Sequence, residues 1–217
     1  MAHDSFLIVT ESGNCQVAKR LEKLNLDQPW GSYLKNLKED PGDLKDIDKV
    51  TGISVRGWVC DWEGDKVKVL LGQRAGMDSS PGLHEAFGGK CDPGESIPAA
   101  LIREFREETG RNILFIQDFL GGEVFLTPTS KQWIVQLHFL VQVQRAEESH
   151  GFHIQLRPEE HQAYIWASEK LDDLNSIQIT NATRCHFESA VKTFRERSKV
   201  TEEATSIPSE SSRRRTG

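Results

Sequence analysis

Ser96-Ile97-Pro98-Ala99-Ala100-Leu101-Ile102-Arg103-Glu104-Phe105-Arg106-Glu107-Glu108-Thr109-Gly110 is the best-marked stretch of the chain, and it reads as a helix with both ends signposted. Ser96 supplies an N-cap oxygen, Pro98 is tolerated in a first turn, and Gly110 stands where a left-handed stop belongs. Spacings of three and four gather Glu104, Glu107 and Glu108 on one face. Leu101, Ile102 and Phe105 form an adjoining apolar stripe. Packing that stripe on a sheet leaves the carboxylates along the margin of a cleft. Like charges at this spacing repel by roughly a few tenths of a kcal/mol when exposed, and by more as water is removed. A divalent cation reverses that sign, and Mg²⁺ prefers hard oxygen ligands such as clustered carboxylates completed by phosphate oxygens. The competing reading is a solvated acidic face whose Arg103, Arg106 and Arg111 make ordinary surface pairs.

Outward from this helix, strands are expected on both sides. Ile53, Val55, Gly57 and Val59 alternate, and beyond the turn at Glu63-Gly64-Asp65 come Val67, Val69 and Leu71, which together suggest two paired strands. A loop rich in Gly, Pro and Ser runs from Gly72 to about Gly94. Downstream, strands are expected over Ile113–Ile116, over Glu123–Leu126, and through Trp133, Val135, Leu137, Phe139 and Val141 in strict alternation. Ala163–Trp166 adds another, and a closing helix covers about Thr183–Arg197. The first fifty residues read as an extension: a short strand at Phe6–Thr10, Val17, Leu21 and Leu24 at helical spacing, and polar turns around Asp40-Pro41-Gly42. Past Ser198 the chain is too poor in apolar groups to pack and reads as a disordered tail over 198–217. This order of elements predicts an α/β fold of the α+β type, a mixed sheet sandwiched between helices.

Composition narrows the function classes. A 37% apolar fraction supports a globular core, and the apolar run Phe6-Leu7-Ile8-Val9 is far too short to be a signal or spanning segment. The reading is a soluble cytoplasmic protein without membrane attachment. Cys15, Cys60, Cys91 and Cys185 lack paired ligand spacing, which argues against a zinc site and a disulfide framework. A formal net charge of -6 disfavours a nucleic-acid polymer as partner, while a small phosphorylated substrate held through a cation stays open. No Gly-x-Ser-x-Gly elbow, phosphate loop with Gly-Lys-Ser/Thr or paired histidines at metal spacing supports another enzyme class.

The wider pattern is Gly89, five residues, Glu95, seven residues, then Arg103-Glu104-Phe105-Arg106-Glu107-Glu108-Thr109-Gly110. It resembles the Nudix box of the MutT-like hydrolases, with one departure at Arg111, where that box closes on an aliphatic residue. The similarity extends upstream through Val69-Leu70-Leu71-Gly72-Gln73-Arg74 and downstream to Trp166, so a Nudix domain is expected over 51–197. The resemblance implies a Mg²⁺-dependent hydrolase of a diphosphate linkage, with Mn²⁺ as the alternative ion. It implies Glu104, Glu107 and Glu108 as metal ligands or base, the Gly88 carbonyl as a further ligand, and an orienting ion pair between Arg103 and Glu95. It also implies a further acid before a tryptophan-bearing strand, for which Glu160 ahead of Trp166 is the candidate beside Glu159. The chemistry implied is attack of water on a phosphorus, with Glu104 taking the proton.

Substrate contacts follow from the same stretch. Arg74, after the strand-end Gln73, is placed to meet a phosphate oxygen. Ala86-Phe87-Gly88-Gly89-Lys90 is similar to the loop of the animal-type sanitisers of oxidised purine triphosphates, which implicates Phe87 and Lys90. Glu85 stands where those enzymes carry a purine-reading asparagine, and their paired aspartates have no counterpart over Ile177–Thr183. A nucleoside di- or triphosphate is the leading substrate. A nucleotide sugar, dinucleotide or prenyl diphosphate is the first alternative, and a non-catalytic nucleotide-binding module of the same fold is the second.

Overall fold

The strand expected over 51–59 ends at Trp58, and Val59 O already accepts from Leu70 N of a second sheet at 3.0 Å. In a computed structural model, which describes residues 5–10, 13–76, 80–144, 154–170 and 177–206, β3 (Gly52–Trp58) pairs in parallel with β8 (Trp133–Val143), not with the strand that follows it. The hairpin across Gly64 is instead made by β4 (Cys60–Glu63) and β5 (Lys66–Arg74). A five-stranded mixed sheet has the order β1-β2-β7-β8-β3, where β1 is Ser5–Thr10, β2 is Gly13–Ala18 and β7 is Ile113–Leu126. The second sheet joins β4, β5 and β6 (His84–Glu85), with β9 (His161–Ser168) pairing antiparallel to β5. Helix α2 (Ile97–Thr109) covers one face of the larger sheet, and α3 (Asn181–Ser206) packs near β7, β8 and the smaller sheet on the other. No helix among the described residues is long and apolar enough to cross a membrane.

The alternation in β8 explains the two faces. Val135, Leu137 and Phe139 are buried in the main core with Leu101 and Phe105 of α2. The intervening Gln136, His138 and Leu140 are equally buried but look the other way, because a second layer covers that face too. Gly57 lets β3 approach the helix, since a Cβ there would meet Phe105 at 3.1 Å.

Several local readings differ from the sequence expectation. Val17 lies in strand β2 with buried Cys15, while Leu21 and Leu24, expected on the same helix, belong to a 3₁₀ helix at Lys19–Leu24 that follows it. Ile113–Leu126 is one strand instead of two, because three register shifts against β8, the last at Phe119/Gly121, absorb the polar and glycine positions between its halves. Helix α3 starts at Asn181, with Thr180 Oγ1 accepting from Thr183 N at 3.1 Å, and runs on to Ser206, beyond the boundary that composition suggested at Ser198. Glu202, Glu203 and Ala204 are good helix formers, which suits continuation of an established helix. The remaining tail, 207–217, with Arg213-Arg214-Arg215, lies outside the described residues.

Within residues 1–50 the strand expected at Phe6–Thr10 is present as β1, and the other described residues hold structure that the sequence left unread. β2 pairs in parallel with β7, and α1 (Trp30–Glu39) places Tyr33 and Leu34 in the same core as Leu21 and Ile47. Leu21→Ala is therefore expected to cost about 2–5 kcal/mol in urea unfolding, the usual range for a buried leucine. A chain beginning at Thr51 is expected to lose cooperative thermal unfolding; an unchanged melting temperature would show these elements to be dispensable.

Candidate active site

Residues 87–91 lie along β3 as an irregular extra strand. Gly57 N donates to Phe87 O at 2.8 Å, Val55 N to Gly89 O at 2.8 Å, and Cys91 N to Ile53 O at 3.0 Å. Between these anchors Gly88 adopts φ 137°, and any Cβ would collide with the Val55 carbonyl, so only glycine fits. Its N–H donates to Glu108 Oε2 at 2.6 Å, and its carbonyl accepts no hydrogen bond among the described residues. The Glu104 carboxylate presses directly on Gly89, where a Cβ would overlap it. The two glycines thus allow the loop to touch the acidic face of α2.

Helix α2 is built as its sequence indicates, with Ser96 Oγ accepting from Ala99 N at 3.4 Å and Gly110 in the left-handed region at φ 67°. Arg103 organises the carboxylates around it. Its Nε and Nη2 hold Glu95 Oε1 and Oε2 at 2.7 and 2.8 Å, its Nη1 reaches Glu104 Oε1 at 2.9 Å, and its Nη2 also meets Lys90 O at 3.0 Å. A planar guanidinium suits this forked task and lysine does not. Burial opposes ionisation of Glu95, but the Arg103 fork and the Asp92 N–H outweigh it and hold its pKa below the usual value. Arg157 bridges Glu107 at 3.2 Å and Glu160 at 3.1 Å, drawing Glu160 to the cluster.

Burial governs the other two glutamates. Desolvation raises the pKa of Glu104 against the pull of Arg103, and raises that of Glu108 well above the ordinary carboxylate range despite Arg56 and the Gly88 N–H. Carboxylates in this condition are hard oxygen donors that gain from a cation. With the Gly88 carbonyl they could hold a divalent cation.

Beside the acidic cluster opens a cavity of about 530 Å³, within the range that holds a small ligand. Gly89, Lys90, Glu85 and Arg74 line it. Glu85 is 7% exposed and tied to Arg74 and, at 3.5 Å, to Arg56. Lys90 Nζ meets Gln132 Oε1 at 3.3 Å. Phe87 departs from the substrate role expected of it: it is fully buried, edge-on to Phe105 at 6.0 Å and 4.9 Å from the His161 ring, because the loop turns its side chain into the core. Sequence reasoning passed over Arg56, Arg157 and His161. The His161 ring sits 3.9 Å from Glu108 and 4.0 Å from Glu85, a proximity made by strand pairing of β9 with β5 that no local pattern signals.

A second cluster brings ligand-type atoms of Glu123, His138 and His186 within 4.8 Å of one another. Its hydrogen bonds assign the protons. Trp58 Nε1, a donor only, points at His138 Nδ1 at 3.0 Å, so the neutral ring carries its proton on Nε2, facing Glu123 Oε1 at 3.5 Å. His186 Nδ1 donates to Ala182 O at 3.1 Å. Burial, with His186 adding to it against the pull of Glu123, lowers the His138 pKa to about 4.

A family model described as the NUDIX domain matches residues 50–184. The chain belongs to the NUDIX family. A CTP pyrophosphohydrolase of Escherichia coli (strain K12) is 37% identical over 102 residues, which span 46% of this chain and 67% of that protein. Among solved structures, a MutT NUDIX hydrolase from Burkholderia pseudomallei has a TM-score of 0.52 at 22% identity, covering 64% of this chain and 96% of that one. The NUDIX domain of Shewanella oneidensis NrtR, complexed with ADP ribose, has a TM-score of 0.51 at 21% identity, covering 75% and 97%. These likenesses confirm the mixed-sheet Nudix fold, and membership makes the chain a Nudix-type pyrophosphohydrolase of a family that generally uses divalent metals.

Gly89→Ala is expected to displace the Glu104 carboxylate, a movable side-chain end, and so to lower turnover at least tenfold with little change in melting temperature; unchanged turnover would detach Glu104 from the chemistry. For His138, folding keeps the ring neutral, so its contribution is complete above pH 6.5 and is lost as pH falls toward 4. Urea unfolding between pH 7 and 4.5 is expected to show a loss of up to about 3 kcal/mol that His138→Gln lacks; equal pH dependence in the two chains would refute the buried neutral ring.

Proposed function

We propose that this chain is a Mg²⁺-dependent hydrolase of nucleoside di- or triphosphates, Mn²⁺ being the alternative ion. The observation that carries this reading is the docking of Glu104, Glu107 and Glu108 against the Gly88-Gly89 loop, with Arg103 forking Glu95 and Glu104. Glu104, Glu107, Glu108 and the Gly88 carbonyl would hold the ion. When bound, it neutralises charge developing on the phosphate oxygens. Glu104, desolvated and with a raised pKa, accepts the proton of the attacking water, which suits a general base better than an exposed carboxylate would. Arg103 and Glu95 keep that carboxylate oriented, and Glu160, joined through Arg157, lies at the rim as a further acid. Arg74 and Lys90 supply positive charge at the cavity, Arg74 already balanced by Glu85. Similarity to a CTP pyrophosphohydrolase supports a nucleoside triphosphate as substrate.

The cavity favours a nucleotide over a prenyl diphosphate, because Ser54, Gln136 and Glu123 line it with polar groups and Phe87 is withdrawn into the core. A nucleotide-binding module without turnover would have no use for clustered, desolvated carboxylates.

Purified protein with Mg²⁺ is expected to release phosphate or pyrophosphate from members of a panel of nucleotides, nucleotide sugars and prenyl diphosphates. Binding without release would replace the enzyme by a sensor. Glu107→Gln is expected to cut turnover by orders of magnitude while moving the metal-free melting temperature little, since Glu107 is 41% exposed and its pairs with Arg157 and Arg103 contribute under about 1 kcal/mol. A large stability loss would make the acidic face structural.

A further inference from the structure

Across the cavity face of the larger sheet, β7, β8 and β3 align Glu123, Gln136 and Ser54 in one row, Glu123 facing Gln136 and Gln136 facing Ser54. Gln136 Nε2 donates to Ser54 Oγ at 3.2 Å, which fixes two of the three. Glu123 is fixed from behind, where the Trp58 N–H sets the His138 tautomer and His138 Nε2–H faces Glu123 Oε1. That Oε1 is buried on the His138 side, 3.5 Å from Nε2, and is not the atom open to the cavity. The other carboxylate oxygen makes no hydrogen bond among the described residues, so the side chain keeps acceptor capacity where it lines the cavity. The side chain retains 27% exposure and lines the cavity, with Phe125 two residues further along β7. Histidine at 138 cannot readily turn this group into a metal site, because the Trp58 donor leaves its Nε2 protonated.

We propose that Glu123 selects the substrate by accepting a hydrogen bond from the amino group of a nucleobase, with Trp58 and His138 as positioning residues behind it. This rests on the nucleotide reading above and deepens it. A fixed acceptor favours bases that present an exocyclic amine and rejects those that present a carbonyl oxygen at the same place, where two acceptors would face each other unpaired. The pair cytosine and uracil differ at this point, so they are the sharpest probes. Gln136, which spends its amide N–H on Ser54, does not compete for the role.

The test reads binding and therefore does not need turnover. Calorimetry of the full chain with cytidine and uridine monophosphates is expected to show a preference for cytidine of roughly 10- to 100-fold, the usual worth of one well-placed base contact. Glu123→Gln, near-isosteric and able to turn its amide either way, is expected to bring that ratio close to one without lowering the melting temperature. His138→Leu is expected to do the same, and His138→Gln, whose amide N–H can replace Nε2–H, to restore part of it. A ratio near one in the unaltered chain, or a preference that survives Glu123→Gln, overturns the assignment while leaving the hydrolase reading intact. Absence of binding by either nucleotide, together with no release from any nucleotide in the panel, overturns both.

Discussion

The bond from the Gly88 N–H to Glu108 sets the working geometry of this molecule. It joins a loop that β3 holds from one side to a helix that the core holds from the other, and it does so through a carboxylate 4% exposed. Such a group is costly to leave charged, and a single amide does not compensate it. The surroundings reflect this: Arg56 pulls its pKa down while burial and Glu85 push it up, and burial prevails. A fold that accepts this expense gathers carboxylate oxygens at one place, which is the arrangement the proposed cation-dependent chemistry would use.

The larger sheet divides its labour between faces. Toward α2 it presents Val55, Val135, Leu137 and Phe139, whose burial fixes the acidic helix in place. Toward the cavity the same strands present Ser54, Arg56, Gln136 and, from β7, Glu123. Because successive side chains alternate, a single strand positions both the Gly88-Gly89 loop and the cavity wall. The register shifts in β7, ending beside Gly121 at φ 116°, bring Glu123 opposite Gln136 and leave room for His186 next to the strand.

The first fifty residues are bound into this arrangement. Through β2 they lengthen the sheet by a parallel pairing with β7, and Trp30 closes onto the Nudix loop, its N–H donating to Glu95 O at 2.7 Å and its Nε1 to Asp92 O at 2.9 Å. The loop that carries Glu95 is therefore braced from the N-terminal side as well as by Arg103.

Much of the helix was legible in the chain. Caps, apolar stripe and glutamate spacing are local properties of consecutive residues, so Ser96, Gly110 and the convergence of Glu104, Glu107 and Glu108 follow from helical geometry alone. The need for Gly88 and Gly89 could be read as a pattern, but its cause, a backbone carbonyl on one side and a carboxylate on the other, is visible only once β3 and α2 are assembled. Phe87, expected at the substrate, lies in the core for the same reason: a loop residue's direction depends on what the loop lies against. Tertiary structure alone decided that Arg157 would bridge Glu107 to Glu160, that His161 would reach Glu108, and that Glu123, Gln136 and Ser54 would share a row. These residues lie far apart in sequence, and strand register, which depends on summed packing over the whole sheet, determines who faces whom.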